Sequence, residues 1–205
     1  TGEAAGALPV DESADGAAVR AQCEDRGEAY FLPKWNGDAL EKLYICGKFG
    51  GAMEIAAVPA DDAFLRAFLS SREIRKYTSG VKRLHRAALR LGKRLENAAM
   101  DAELAAYLLN PSGSDYTVGR LAAEYGVPTA VYEDETASAA AALAGVCAAL
   151  QRAIDENGQH ELLETIELPL ALVLGEMEES GFLVDRAAIG AYGEQLAAEA
   201  ERLRQ

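Results

Sequence analysis

The chain has 205 residues, half of them hydrophobic and 26% charged, with a net charge of −13; this excludes a disordered polypeptide and fits one domain or one domain with an appendage. Taken alone, the acidity argues against a nucleic-acid-binding surface. Cys23, Cys46 and Cys147 are far apart with no C-x-x-C pair, which excludes a disulfide framework or a zinc site by spacing and reads as free thiols in a reducing compartment.

In chain order, the acidic N-terminus Thr1-Gly2-Glu3 lacks the apolar segment of a signal peptide. The first third reads as sheet. Residues 17–23 and Glu28-Ala29-Tyr30-Phe31-Leu32 flank Asp25-Arg26-Gly27 and predict a hairpin. Residues 42–46 and 53–58, with Gly47, Gly50 and Gly51 between them, predict a second, closed by Pro59. From Asp61 the period becomes helical. Asp61 or Asp62 caps a helix bearing Phe64, Leu65, Phe68 and Leu69 on one face. Residues 74–78 predict a short strand. Ser79 then caps a helix with Val81, Leu84, Ala88 and Leu91 on one face, stopped by Gly92. Residues 95–100 are ambiguous, with a strand as one reading.

Asp101 caps a helix with Leu104, Tyr107 and Leu108, stopped by Asn110-Pro111. A short helix over 117–125 ends at Gly126. The last third is helical. Residues 136–151 form the longest uncharged run, shorter than a membrane span and mostly alanine, so a buried helix over 137–156 is predicted. A helix over 161–180 presents Leu163, Ile166, Leu170, Val173 and Met177 at spacings of three and four, with Pro169 kinking it. Gly181 ends that helix. Asp185 caps a last one with Ile189, Tyr192, Leu196 and Leu203 on a stripe, and it runs out at Gln205 without a stop signal. That ending, with the absence of an initial Met, reads as a piece of something longer.

Met100-Asp101-Ala102-Glu103-Leu104-Ala105-Ala106-Tyr107-Leu108-Leu109-Asn110-Pro111 resembles the D-x-x-L-x-x-Y-L-L-x-P stretch of the 3′–5′ exonuclease domain of bacterial DNA polymerase I, a family-A polymerase. Asp115 to Tyr125 is similar to the D-x-x-x-L-A-x-x-Y helix that follows in that family. Leu163-Glu164-Thr165-Ile166-Glu167-Leu168-Pro169-Leu170 resembles its L-x-x-I-E-x-P-L helix. Glu176-Met177-Glu178-Glu179-Ser180-Gly181-Phe182-Leu183-Val184-Asp185 resembles the M-E-x-x-G-[VI]-x-[VI]-D that leads into the polymerase thumb. The resemblance covers residues 70–205; the first seventy match only in pattern, and 35–58 looks like an insertion. It implies an α/β, RNase H-like exonuclease fold over 1–155, a mixed sheet with flanking helices, followed over 156–205 by helices leading to the thumb. It also implies a parent DNA-directed DNA polymerase of replication and repair, a nucleotidyltransferase using Mg²⁺, cytoplasmic and nucleoid-associated.

Two-metal phosphodiester hydrolysis needs carboxylates from separate segments to hold a pair of divalent ions. In the family they are an Asp-x-Glu on the first strand, an Asp in L-K-x-D, and an Asp in Y-x-x-x-D on a later helix. Here the first-strand position reads Val10-Asp11-Glu12-Ser13-Ala14-Asp15, a turn-like stretch between Pro9 and Gly16. The second reads Val81-Lys82-Arg83-Leu84, and the third helix, 137–150, has neither Tyr nor Asp. Glu133, Asp134 and Glu135 suit a solvated helix N-terminus. No catalytic residue, metal ligand or cofactor is therefore expected in this piece. Gly47-Lys48-Phe49-Gly50-Gly51 lacks the Walker spacing. His85 and His160 read as helix-surface residues.

Residues 66–94 hold ten of the chain's 20 bases against one acid, Glu73, and so carry +9, which leaves −22 for the remainder. Lys82, Arg86, Arg90 and Lys93 recur at three and four opposite the apolar face. With Arg83 they are candidates for phosphate or domain contacts, and pairing with the acidic C-terminal helices is the competing reading. The leading functional reading is a catalytically silent scaffold holding the polymerase domain in cis. DNA would be bound in the full polymerase and weakly or not at all by this piece, with no membrane partner. The alternatives are a divergent active proofreader using Asp11 or Glu12, and an unrelated helical interaction protein.

Overall fold

A computed structural model describes residues 7–12, 14–48 and 53–204. Thr1-Gly2-Glu3 and the loop glycines Gly50 and Gly51 lie outside the described residues. The chain opens with helix α1 (Gly16–Arg26), then strands β1 (Glu28–Asn36), β2 (Ala39–Lys48) and β3 (Met53–Pro59). Helix α2 (Asp62–Leu69), strand β4 (Arg75–Thr78), helix α3 (Val81–Arg90) and strand β5 (Ala98–Asp101) follow. Helices α4 (Ala102–Leu109), α5 (Val118–Glu124) and α6 (Glu135–Glu156) precede a run of helix comprising α7 (His160–Leu162), a π segment (Leu163–Glu167) and α8 (Leu168–Ser180). Helix α9 (Arg186–Arg204) is last.

The five strands form one mixed sheet in the order β3-β2-β1-β4-β5. The first three are joined by antiparallel hairpins, and β1–β4 and β4–β5 pair in parallel. Alternation along β1 sends neighbours to opposite faces. Phe31 meets Phe68 of α2 edge-on at 5.1 Å, whereas Tyr30 stacks on Tyr77 of β4 at 4.5 Å and feels Cys147 of α6. Helix α6 lies along the sheet with Ala140, Leu143, Val146, Cys147 and Leu150 buried. By length and composition α6 could cross a membrane; here it is a core helix, as its alanine-rich run predicts.

The predicted strand over 17–23 is a correction: it is α1. Asp15 accepts the Ala17 amide at 3.1 Å to cap it, and Val19 and Cys23, one turn apart, are its buried residues. Val19, Ala21 and Cys23 alternate with Arg20 and Gln22 as a strand would, while Val19 and Cys23 also share a helix face; here the cap and Gly27, left-handed at φ +72°, decide it. The hairpin partner of β1 is β2, across a two-residue turn with Gly37 at φ +56°. Ser79 does not cap α3. That position belongs to Gly80, without a side-chain cap of its own, and the carboxylate of Asp101 arrives from β5 to serve instead.

Pro169 is accommodated by the π segment immediately before it, which absorbs the ladder position the proline cannot fill. The predicted stripe on this helix is the second correction. Leu163 is buried, but Ile166, Leu170, Val173 and Met177 are exposed; the inward side is Leu168 and Gly175, with Ala171 and Leu172 half-buried. Helix α9, capped by Asp185 through the Ala187 and Ala188 amides at 3.0 Å, has no buried residue.

Candidate functional site

Strand β4 pairs with β1 only from Glu28 to Tyr30. Beyond that point β1 overhangs, which tolerates Pro33 in a central strand, because no neighbour there needs its missing N–H. The overhang, the N-termini of α3, α4 and α6, and the segment around α5 enclose a cleft of about 1080 Å³. Trp35, Lys82, Arg83, Tyr107 and Arg120 are among its lining residues. Asp101 sits at its floor, 4% exposed. Its carboxylate accepts the amides of Gly80 (3.1 Å), Val81 (2.8 Å), Glu103 (3.0 Å) and Leu104 (3.4 Å), so one side chain caps α3 and α4 together. Burial pushes this carboxyl above the ordinary range while the four amides pull the other way. Oδ1 accepts three of these amides and Oδ2 one, so the group has a structural task in holding two helix starts together.

The first-strand position needs a correction. Residues 10–15 precede the sheet; Asp11 bridges Ala56 of β3, the far edge strand, and exposed Glu12 pairs with Lys42 at 2.9 Å. The strand that enters the cleft is β1, and after Glu28 it carries no carboxylate. Instead its Lys34 pairs with Asp134 at 2.5 Å. Asp134 also caps α6 through the amides of Thr136 (2.8 Å) and Ala137 (3.2 Å). Burial alone would raise Asp134, but Lys34, the Tyr44 hydroxyl and the Ala137 amide bring it down to about 2. Leu84, at the second position, is fully buried on α3. Among the described residues no three His, Cys, Asp or Glu side chains assemble as a metal cluster. A two-metal centre does not fit these residues: Asp101, Glu103, Asp115 and Glu135 line the cleft without three acids converging among the described residues, Asp101 is engaged by four amides, and the second position holds the aliphatic Leu84.

The basic face of α3 points at α8. Lys82 Nζ reaches Glu178 at 2.8 Å, Arg86 reaches Glu178 at 3.1 Å and Glu179 at 3.3 Å, and Arg90 reaches Glu179 at 2.9 Å. Arg94 pairs with Glu176. Arg83 turns the other way, its guanidinium 4.0 Å from the Trp35 ring centre, donating to the Gly37 carbonyl. Lys93 is exposed beyond the helix. The hydrogen bonds from Lys82 and Arg90 hold Glu178 and Glu179 below the usual glutamate range. His85 is not on the surface as its isolation in sequence suggests; it is fully buried. Its Nδ1 accepts the Leu95 amide at 3.1 Å, which leaves the proton on Nε2 for Glu176 at 3.2 Å. Only the spacing of Val81, Leu84, His85 and Ala88 could have revealed this. His160 is half-exposed beside Asp155 and Glu164.

Comparison with known proteins agrees with this architecture. Residues 53–137 match the family model described as DNA polymerase I, ribonuclease H-like domain. The chain is 30% identical over 161 residues to DNA polymerase I of Bacillus subtilis, covering 69% of this chain and 18% of that protein. It is 30% identical over 148 residues to the Streptococcus pneumoniae enzyme of the same name (62% and 16%), and 36% identical over 98 residues to that of Caldicellulosiruptor bescii (47% and 12%). The chain therefore spans under a fifth of these relatives. A solved structure of the POL domain of Pol1 from M. smegmatis, in complex with DNA primer-template and dNTP, superposes with a TM-score of 0.73 over 96% of this chain and 36% of that one, at 22% identity. That likeness is one of fold.

Proposed function

The chain belongs to the DNA polymerase I family, of which it carries the ribonuclease H-like domain, and from this premise we propose that it is the exonuclease-like module of a DNA-directed DNA polymerase, catalytically silent and retained as a scaffold. The observation that carries the silent reading is the cleft. Leu84 lies in the core, β1 brings no carboxylate to the cleft, and Asp101 is engaged by four amides. Such a cleft has no means of holding two divalent ions to activate water. Any Mg²⁺ used by the parent protein would then act in its polymerase portion, outside this chain.

The scaffold reading is supported by the outward face of the C-terminal helices. Ile166 of the π segment, Leu170, Val173 and Met177 on α8 and Ile189, Tyr192 and Leu196 on α9 are exposed, and Phe182 and Leu183 between them are 89% and 101% exposed. Exposed apolar side chains in this number mark a docking site. In a protein several times longer than this chain, the polymerase portion in cis is its occupant. Residues 156–205 are accordingly assigned to the connection and 1–155 to the exonuclease-like unit. The bases of α3 are engaged by glutamates of α8, so DNA is gripped by the full polymerase and only weakly by this piece. Its place is with the bacterial chromosome in the cytoplasm.

The test is degradation of labelled single-stranded DNA by micromolar protein with Mg²⁺ or Mn²⁺. No degradation above the EDTA control is expected. Mn²⁺-dependent degradation abolished by EDTA would restore the divergent proofreader.

A further inference from the structure

The two sides of α8 are built from different chemistry. Its first turns are anchored by apolar contacts: Leu163 and Leu168 are buried, and Ala171 and Leu172 pack on the core. From residue 173 onward that changes. Val173, Leu174 and Met177 all face solvent, and the only fully buried residue is Gly175. A Cβ at Gly175 would lie 3.1 Å from the Lys82 carbonyl and 3.5 Å from Arg86 and His85 side-chain carbons. The glycine lets the backbones touch but supplies no apolar side chain. What remains to hold this half of the helix is Glu176, Glu178 and Glu179 against Lys82, His85, Arg86, Arg90 and Arg94.

We infer that residues 173–180 form a salt-sensitive arm, clasped to α3 by this network and pivoting about the apolar anchor of Leu168, Ala171 and Leu172. Exposed ion pairs are individually weak and are screened within a few ångströms at high salt, whereas the buried leucines at the pivot are not. The arm bears the outward apolar face, so the clasp regulates how firmly that face is presented. This significance rests on the scaffold reading, whereas the clasp itself is a property of this chain.

Native-state amide exchange on the 205-residue chain reads the arm directly, with α6 as the internal reference. Raising salt from about 0.05 M to about 1 M should speed exchange of 173–180 amides by about tenfold while α6 stays unchanged. The double variant E178Q/E179Q should exchange rapidly in that segment at low salt already and lose the salt response. The charge exchange R86E/E178R/E179R should restore part of the protection that E178R/E179R loses. Unchanged exchange of 173–180 at both salts and in the glutamine variant would overturn the clasp, as would acceleration shared equally by α6, which means global destabilisation. None of these outcomes touches the outward face, so the scaffold reading stands or falls separately.

Discussion

Lys76 carries its ammonium into the core: it is fully buried, and its Nζ donates to the carbonyls of Ser71 (2.6 Å), Ile74 (3.1 Å) and Glu96 (2.8 Å). Burial pulls this lysine down to about 8. Three donors meet three acceptors, so the group ties the turn before β4 to the segment before β5. Lys76→Met fills the same space but strands three carbonyls, and it should cost about 2–4 kcal/mol, read as a lower urea midpoint at unchanged m. A neutral or stabilised variant would remove that role. Asp134 acts in the opposite sense of pH. Its folded value of about 2 lies below the ordinary 3.8, so its contribution is complete above pH 3.8 and is lost as pH falls through about 2. Allowing for its partial exposure, the native chain should lose about 1–2 kcal/mol more than Asp134→Asn between those limits. Denaturant titrations at stepped pH measure the difference; parallel curves would sink it.

At the scale of elements, the sequence was most informative where caps and spacing agreed. Asp61, Asp101 and Asp185 each begin a helix at the expected place, and residues 42–46 and 53–58 pair as β2 and β3. Local signals failed where a distant group decided the outcome. Gly80 begins α3 because Asp101, 21 positions away, supplies the oxygen that Ser79 does not. Residues 17–23 form a helix although they alternate well enough for a strand. The apolar spacing on α8 was real, but periodicity reports a face without saying what that face meets. The inward side was set by Gly175 and three glutamates, residues that a search for apolar stripes passes over. The cleft was half legible: Leu84 announced the missing ligand from sequence, whereas the mistaken first strand hid Lys34 until β1 was located.

For the whole molecule, the net charge of −13 averages a basic segment around α3 with an acidic remainder, and Glu176, Glu178 and Glu179 of that remainder meet the bases Lys82, Arg86, Arg90 and Arg94. Internal neutralisation leaves few cations for phosphate, and apolar surface takes over as the feature that looks outward. Two consequences follow from one pair of substitutions, Val173→Asp with Met177→Asp. Both side chains are exposed in this chain, 48% and 62%, so the midpoint of the 205-residue chain should move by no more than about 0.5 kcal/mol. In the intact polypeptide the same pair would bury two carboxylates against the polymerase portion, at a cost of about 2 kcal/mol or more. Differential scanning calorimetry of both lengths separates the cases. Equal tolerance in the two would show that the polymerase portion does not rest on this face, while a penalty confined to the longer chain identifies α8 as the seat on which it is carried.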